Sequence, residues 1–161
     1  MNYNYCPQCC CGLVEKEIDG KKRICCINAE CDFVLWNNPV PVVAAIVEHE
    51  GKVLLARNSE WAEGHFALIA GYIEEGETPE VAVIRELKEE TNLDGKIESL
   101  CGHYIFEQKN QLMIIFHIKA TGTVKLSPEL AEAKHFSKDE ITPWGSCTGQ
   151  AMAEWLEKKP V

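Results

Sequence analysis

Apolar and polar positions change period several times along this chain. From Val40, VPVVAAIVEHE and then GKVLLAR are dense in aliphatic and β-branched residues and flank Glu50–Gly51. That pattern predicts two strands around a tight turn. Ala67–Ala70 is a short apolar run leading into Gly71. The period then lengthens. Thr78–Pro79 supplies an N-cap and a proline at the first helical position, and Asn92 can take the left-handed backbone that ends a helix, so a helix is predicted from there to about Thr91. Lys96–Glu107 and Gln111–Thr121 read as strands, the second carrying LMIIFHIKAT, and Ala133–Phe136 as a short one. Gly145–Lys158 reads as a closing helix with Ala151, Trp155 and Leu156 facing inward. Strands and helices mixed in this order predict an α+β sandwich rather than a doubly wound sheet.

The first 36 residues do not share this patterning. Seven of the nine cysteines (Cys6, Cys9, Cys10, Cys11, Cys25, Cys26 and Cys31) lie there, and NNPVP punctuates the chain just after Trp36. A disulfide scaffold would spread its cysteines and follow a secretory leader, and MNYNYCPQC has no basic segment followed by an apolar one. The expectation is therefore a cytoplasmic protein whose cysteines hold metal. Cys6–Cys9 is a C-x₂-C knuckle, and Cys31 with Cys25 or Cys26 can complete four thiolates, the donor set of a structural zinc site. The longest apolar run, Pro39 to Val47, is too short to span a bilayer. A net charge of −9 makes nucleic acid an unexpected partner, although Lys16, Lys21, Lys22 and Arg23 are locally basic.

The predicted helix raises a question of charge. On a helical wheel Glu86, Glu89 and Glu90 share one face, while Val81, Ile84 and Leu87 can anchor the other on a sheet. Such carboxylates repel by a few tenths of a kcal/mol per pair, roughly, and a bound divalent cation reverses that sign. The spacing is more specific than the charge. Gly71, five residues, Glu77, seven residues, Arg85-Glu86-Leu87, one residue, Glu89-Glu90, one residue and Asn92-Leu93 resembles the Nudix box, GX5EX7REUXEEXGU. Six identities at a frequency of roughly one in fifteen give a chance match on the order of 10⁻⁷ per starting position. The departure is Asn92, where the box has Gly; both residues tolerate positive φ, so the change is expected to be structurally tolerable and catalytically silent.

The resemblance implies an α/β/α sandwich with a mixed sheet over residues 39–161, and a metal-dependent hydrolase of nucleoside diphosphates linked to another moiety. It implies Mg²⁺ or Mn²⁺ held by Glu86, Glu89, Glu90 and the Gly71 carbonyl, with Arg85 and Glu77 paired to brace the loop against the helix. Glu86 or Glu89 is the general base inside the box. PELAEAKHF resembles a later family stretch that would make Glu132 a further ligand or base; otherwise Glu132 is an ordinary exposed acid. Phe66 and Tyr72 flank the loop entry and could stack on a base, and Arg57 could meet a phosphate, or Phe66 is core and Arg57 a solvated strand end.

Residues 1–36 resemble a small zinc ribbon, in which a C-x-N-x-E-C knuckle favours Cys26 over Cys25 and gives Cys6, Cys9, Cys26 and Cys31 as ligands. A ribbon before a Nudix domain resembles the NADH, FAD and ADP-ribose pyrophosphatases, as does Ile69-Ala70-Gly71-Tyr72 at the box entry. HYIFEQK stands where the NADH enzymes carry SQPWPFP, so FAD or ADP-ribose is at least as good a substrate as NADH. The expected products are AMP and a second monophosphate. The alternative is a non-catalytic module that senses such a ligand and uses the ribbon as an interaction surface. Trp144 and Trp155 would suit a homodimer interface or a core.

Overall fold

The computed structural model describes residues 3–158. Met1, Asn2 and residues 159–161, the outermost positions of the two predicted domains, lie outside them. The chain divides into two compact units, Met1–Pro39 and Val40–Val161.

In the first unit, β1 (Leu13–Ile18), β2 (Lys21–Cys26) and β3 (Val34–Leu35) form an antiparallel sheet in that order. Ile18 pairs with Lys21, and both turn residues have positive φ (Asp19 50°, Gly20 71°). Asp-Gly is the dipeptide best suited to such a two-residue hairpin. These strands are an addition to the sequence reading, and that dipeptide was their signal.

The second unit is a mixed six-stranded sheet. It comprises β4 (Val40–His49), β5 (Lys52–Asn58), β6 (Ile69–Tyr72), β7 (Asp94–Phe106), β8 (Gln111–Thr121) and β9 (Leu130–Phe136), with order β7-β8-β4-β5-β9 and β6 also on β4. β4 and β8 run parallel, in register from Val40↔Gln111 to His49↔Ala120. The other edge of β4 is divided. Val42–Ala45 pair with β6, and Val47–His49 pair with β5 across the Glu50–Gly51 turn. Among the described residues, β5 meets the segment before β6 again only at an isolated Ala56↔Ala67 bridge.

Strand alternation builds two cores. Val43, Ala45 and Val47 face α1 (Pro79–Thr91), where they meet Ala82, Val83 and Leu87. Val42, Ala44 and Ile46 face α2 (Cys147–Glu157), where they meet Ala151, Met152 and Trp155. A helix on each face of one mixed sheet is an α+β sandwich. Trp155 is buried, and the partly buried Trp144 and Leu156 pack on the same core. Among the described residues no helix is long and apolar enough to cross a membrane.

One expectation about α1 needs correction. Val81 is exposed, and the buried stripe is Ala82, Val83, Leu87 and Thr91. The wheel reading assumed that the acids point away from the core. The helix is instead rolled so that Glu86 and Glu90 lie at the border of its buried face, while Glu89 stays outside.

Candidate functional site

Helix α1 is held at both ends by local chemistry. The Thr78 hydroxyl accepts from the Val81 backbone N–H at 3.4 Å, and Asn92 closes the helix with φ 62°. Beyond it, the backbone N–H groups of Lys125 and Ser127 donate to the carbonyls of Thr91 and Glu90. Carbonyls that a helix end leaves unpaired are thereby satisfied, and the loop before β9 is drawn against the acidic end of α1.

Arg85 is the hub of the loop–helix unit. Its Nε and Nη2 donate to the two Glu77 carboxylate oxygens, both at 2.7 Å, a fork-to-fork pair. Nη2 also donates to the Tyr72 carbonyl at 3.0 Å, and Nη1 to Glu86 at 2.8 Å and Glu89 at 3.1 Å. Glu77 in turn accepts from the Glu74 backbone N–H. Arg85 first, then that N–H, hold the Glu77 carboxyl down at about 2. The guanidinium thus ties the strand-end Tyr72, the loop acid and the helix together.

Glu90 is in the opposite situation. Burial, and then the negative charges of Glu86, Glu129 and Glu89, push its carboxyl up to about 7. Three acids are thus near enough for their charge to act on Glu90, Glu89 from the exposed side of the helix. Gly71 closes the site from the sheet, since a Cβ there would collide with the Glu86 carboxylate. Only glycine lets β6 pass so near the helix. Carboxylates that repel one another in this way have the oxygen chemistry that a hard divalent cation takes.

Glu129 escaped the sequence reading, which offered Glu132 as a further ligand or base, or else as an ordinary exposed acid. Glu132 lies directly across from Arg57 in the β5/β9 pairing. It is 3.6 Å from the Arg57 Nε and 2.9 Å from the Lys134 Nζ. Arg57 also donates to the Trp61 carbonyl at 3.2 Å. Arg57 and Glu132 therefore answer each other's charge on the α2 side of the sheet, apart from the α1 acids. Strand alternation separates the two faces, and the segment 125–127 bonded to α1 delivers Glu129 instead. No local motif in PELAEAKHF distinguishes the two acids.

A cavity of about 920 Å³ opens beside β5, β6 and the segment between them. Glu90 and Gly71 reach it, and Trp61, Phe66, Tyr72 and Trp144 supply aromatic wall. Phe66 is fixed edge-on against Phe136, and the Tyr72 hydroxyl accepts from Gln111. Such a volume falls within the range of small-molecule sites, in which apolar walls surround a few polar groups.

In the first unit, the sulfur atoms of Cys6, Cys9, Cys26 and Cys31 lie within 4.8 Å of one another. Cys6–Cys31 is 3.7 Å and Cys9–Cys26 is 3.4 Å. A tetrahedral zinc site with arms of about 2.3 Å has edges of roughly 3.7 Å, so these thiols fit such an ion. Cys25 turns away toward the Arg23 carbonyl. At Cys9 the backbone N–H of Cys11, then Cys26, lower the thiol to about 6, whereas burial pushes the Cys26 thiol up, so one thiolate is favoured within the cluster.

The NUDIX domain family model matches residues 38–156. An ADP-ribose pyrophosphatase of Methanocaldococcus jannaschii is 35% identical over 115 residues, covering 68% of this chain and 68% of that protein. The NAD-capped RNA hydrolase NudC of Pseudomonas putida is 27% identical over 156 residues, covering 96% of this chain. The chain spans about half the length of that relative (54%). Among solved structures, a NUDIX hydrolase from Nitrosomonas europaea superposes with a TM-score of 0.80 at 26% identity, covering 96% of this chain and 91% of that one. With the acid-bearing loop and helix in place and the family model covering most of its length, this chain belongs to the Nudix hydrolase family.

Proposed function

We propose that the chain is a metal-dependent pyrophosphohydrolase of an ADP-linked compound, ADP-ribose, FAD or NADH, releasing AMP and a second monophosphate. One observation carries this reading: the half-buried Glu90, crowded by Glu86, Glu89 and Glu129, faces an aromatic cavity large enough for a base and ribose. Glu86, Glu89, Glu90 and the Gly71 carbonyl would hold Mg²⁺ or Mn²⁺, with Glu129 beside them. The bound ion would supply charge neutralisation at the pyrophosphate and a water of lowered pKa. Arg85 and Glu77 keep the donors in place, so their part is orientation. Glu86 or Glu89 serves as the base toward the attacking water, Glu89 being the more exposed (60% against 15%). Phe66 and Tyr72, on the cavity wall, are the residues to stack on the base, joined by Trp61 and Trp144. The four-thiol cluster would hold one structural zinc within a ribbon of residues 1–36.

The ADP-ribose pyrophosphatase and NudC similarities support a two-headed substrate, and the latter adds NAD-capped RNA to the compounds worth testing. A sensor without activity is disfavoured because every acid of the box is present. The test is a panel of ADP-ribose, FAD, NADH, NAD, NAD-capped RNA, ADP-glucose and nucleoside triphosphates with Mg²⁺ or Mn²⁺, scored by released monophosphate. AMP from at least one ADP-linked compound is expected, with ¹⁸O from water on a product phosphate. Fast triphosphate cleavage to pyrophosphate with all ADP-linked compounds inert overturns the reading.

A further inference from the structure

A second cluster of ligand-type side chains lies well away from the acids of α1. His49 ends β4 and is buried, Glu50 occupies the exposed turn that follows, and His135 stands in β9 opposite Leu54 of β5. His49 continues the Val43, Ala45, Val47 series and His135 shares the face of Leu54, so both rings lie on the α1 side of the sheet. One ligand atom from each of His49, Glu50 and His135 can be chosen so that all lie within 4.8 Å of one another. Gly71 pairs with Val43. Six residues of strand separate Val43 from His49, a distance of about 20 Å.

The hydrogen bonds fix which nitrogens are available. His49 Nε2 is 3.1 Å from the Gly122 carbonyl, which can only accept, so Nε2 carries the proton. His49 Nδ1 is therefore a lone pair, and it meets His135 Nε2 at 2.8 Å. A histidine that donates one ring N–H to a backbone carbonyl while its other nitrogen faces a second imidazole is oriented as metal-bound histidines are. Tetrahedral zinc with arms of about 2.0–2.1 Å sets its donors roughly 3.3 Å apart, so the two rings need to separate by only about 0.5 Å.

We propose that His49 Nδ1, His135 Nε2 and the Glu50 carboxylate form a binding site for a borderline divalent transition ion of the zinc type, distinct from the box acids and the cysteine cluster. Two imidazoles and one carboxylate suit zinc better than magnesium, which prefers oxygen donors alone. On binding, His135 moves its proton from Nε2 to Nδ1 and stays neutral, the His49–His135 hydrogen bond breaks, and the ion exchanges three of its waters for the two ring nitrogens and the carboxylate. The ion cross-links the β4–β5 turn to the edge strand β9, bracing the sheet at the end remote from the acids.

The test is zinc content by mass spectrometry after equilibrium dialysis of the whole protein against micromolar zinc, with saturating Mg²⁺ to occupy the acids. Wild type is compared with His135→Asn and with Glu50→Gly, the latter suited to the positive φ of that turn (53°). The expected result is one zinc per chain more in wild type than in either variant, at least a tenfold loss of binding in both, and shifts of the His49 and His135 ring nitrogens on zinc addition to wild type. Retention of the full zinc complement by either variant overturns the site. If His135→Asn does not fold, Glu50→Gly decides alone.

Discussion

Single residues at the α1 site fall into two electrostatic classes, and the classes predict different experiments. Glu90 is pushed up to about 7 by burial and then by Glu86, Glu129 and Glu89, so its value to the protein lies in what it binds. Glu90→Gln preserves size and helix propensity. It should leave the fold intact and lower turnover by about a hundredfold or more under saturating Mg²⁺; near wild-type rates would remove Glu90 from the site. Glu77 is the converse case. Arg85 and the Glu74 N–H hold its folded-state carboxyl at about 2, below its value in the unfolded chain. A depressed pKa gives stability that is complete above about pH 4.5 and is lost as pH falls through about 2. The difference in melting temperature between wild type and Glu77→Gln should therefore be largest at neutral pH and shrink toward pH 2. A difference that grew on acidification would contradict the fork with Arg85.

At the scale of elements, the termini of α1 were legible in the sequence because they depend on local chemistry. Thr78 and Pro79 start the helix, and Asn92 ends it with φ 62°. Asn92→Gly should keep stability within about half a kcal/mol and leave activity unchanged, whereas Asn92→Ala should cost on the order of 1 kcal/mol, read by urea denaturation, because alanine pays for the left-handed backbone. Equal stability of the two variants would show that the cap conformation is not what Asn92 provides. Which side of that helix is buried was legible only in part, since Leu87 and Ile84 do pack on the core. A wheel ranks faces by polarity and so turns every acid outward, yet Val83 is inside, Val81 outside, and Glu90 half-buried. Tertiary contact decided the roll: β6 passes so close to α1 that Gly71 admits no Cβ beside Glu86. The same limit separates Glu129 from Glu132. The proximity of Glu129 to the acids depends on backbone bonds from residues 125 and 127 to the end of α1, contacts that no periodicity in the chain announces.

For the whole molecule, the separate unit at the front has little core of its own. Its described strands are short, and beside its buried Cys6, Cys25 and Cys26 their side chains are exposed or only half-buried. A sheet this small lacks the apolar burial to offset the entropy of ordering its chain, so a cross-link must make up the difference. The sulfur pairs at 3.4 and 3.7 Å, joining residues from before β1 to residues at and after the end of β2, are where that link would act. Metal binding and folding of this unit should then be one event. Protein purified without chelator should carry about one zinc at this cluster. Cys31→Ser should release that zinc and unfold the first unit, seen as loss of dispersed amide signals from residues 3–39. Cys10→Ser should retain it, because Cys10 is exposed and stands outside the cluster. Hydrolysis in the Cys31→Ser protein separates the roles of the two units: the acids, the cavity and both helices all belong to Val40–Val161, so the remaining activity measures what that unit does alone. Zinc retained at full occupancy in Cys31→Ser would mean that another of the seven N-terminal thiols completes the site.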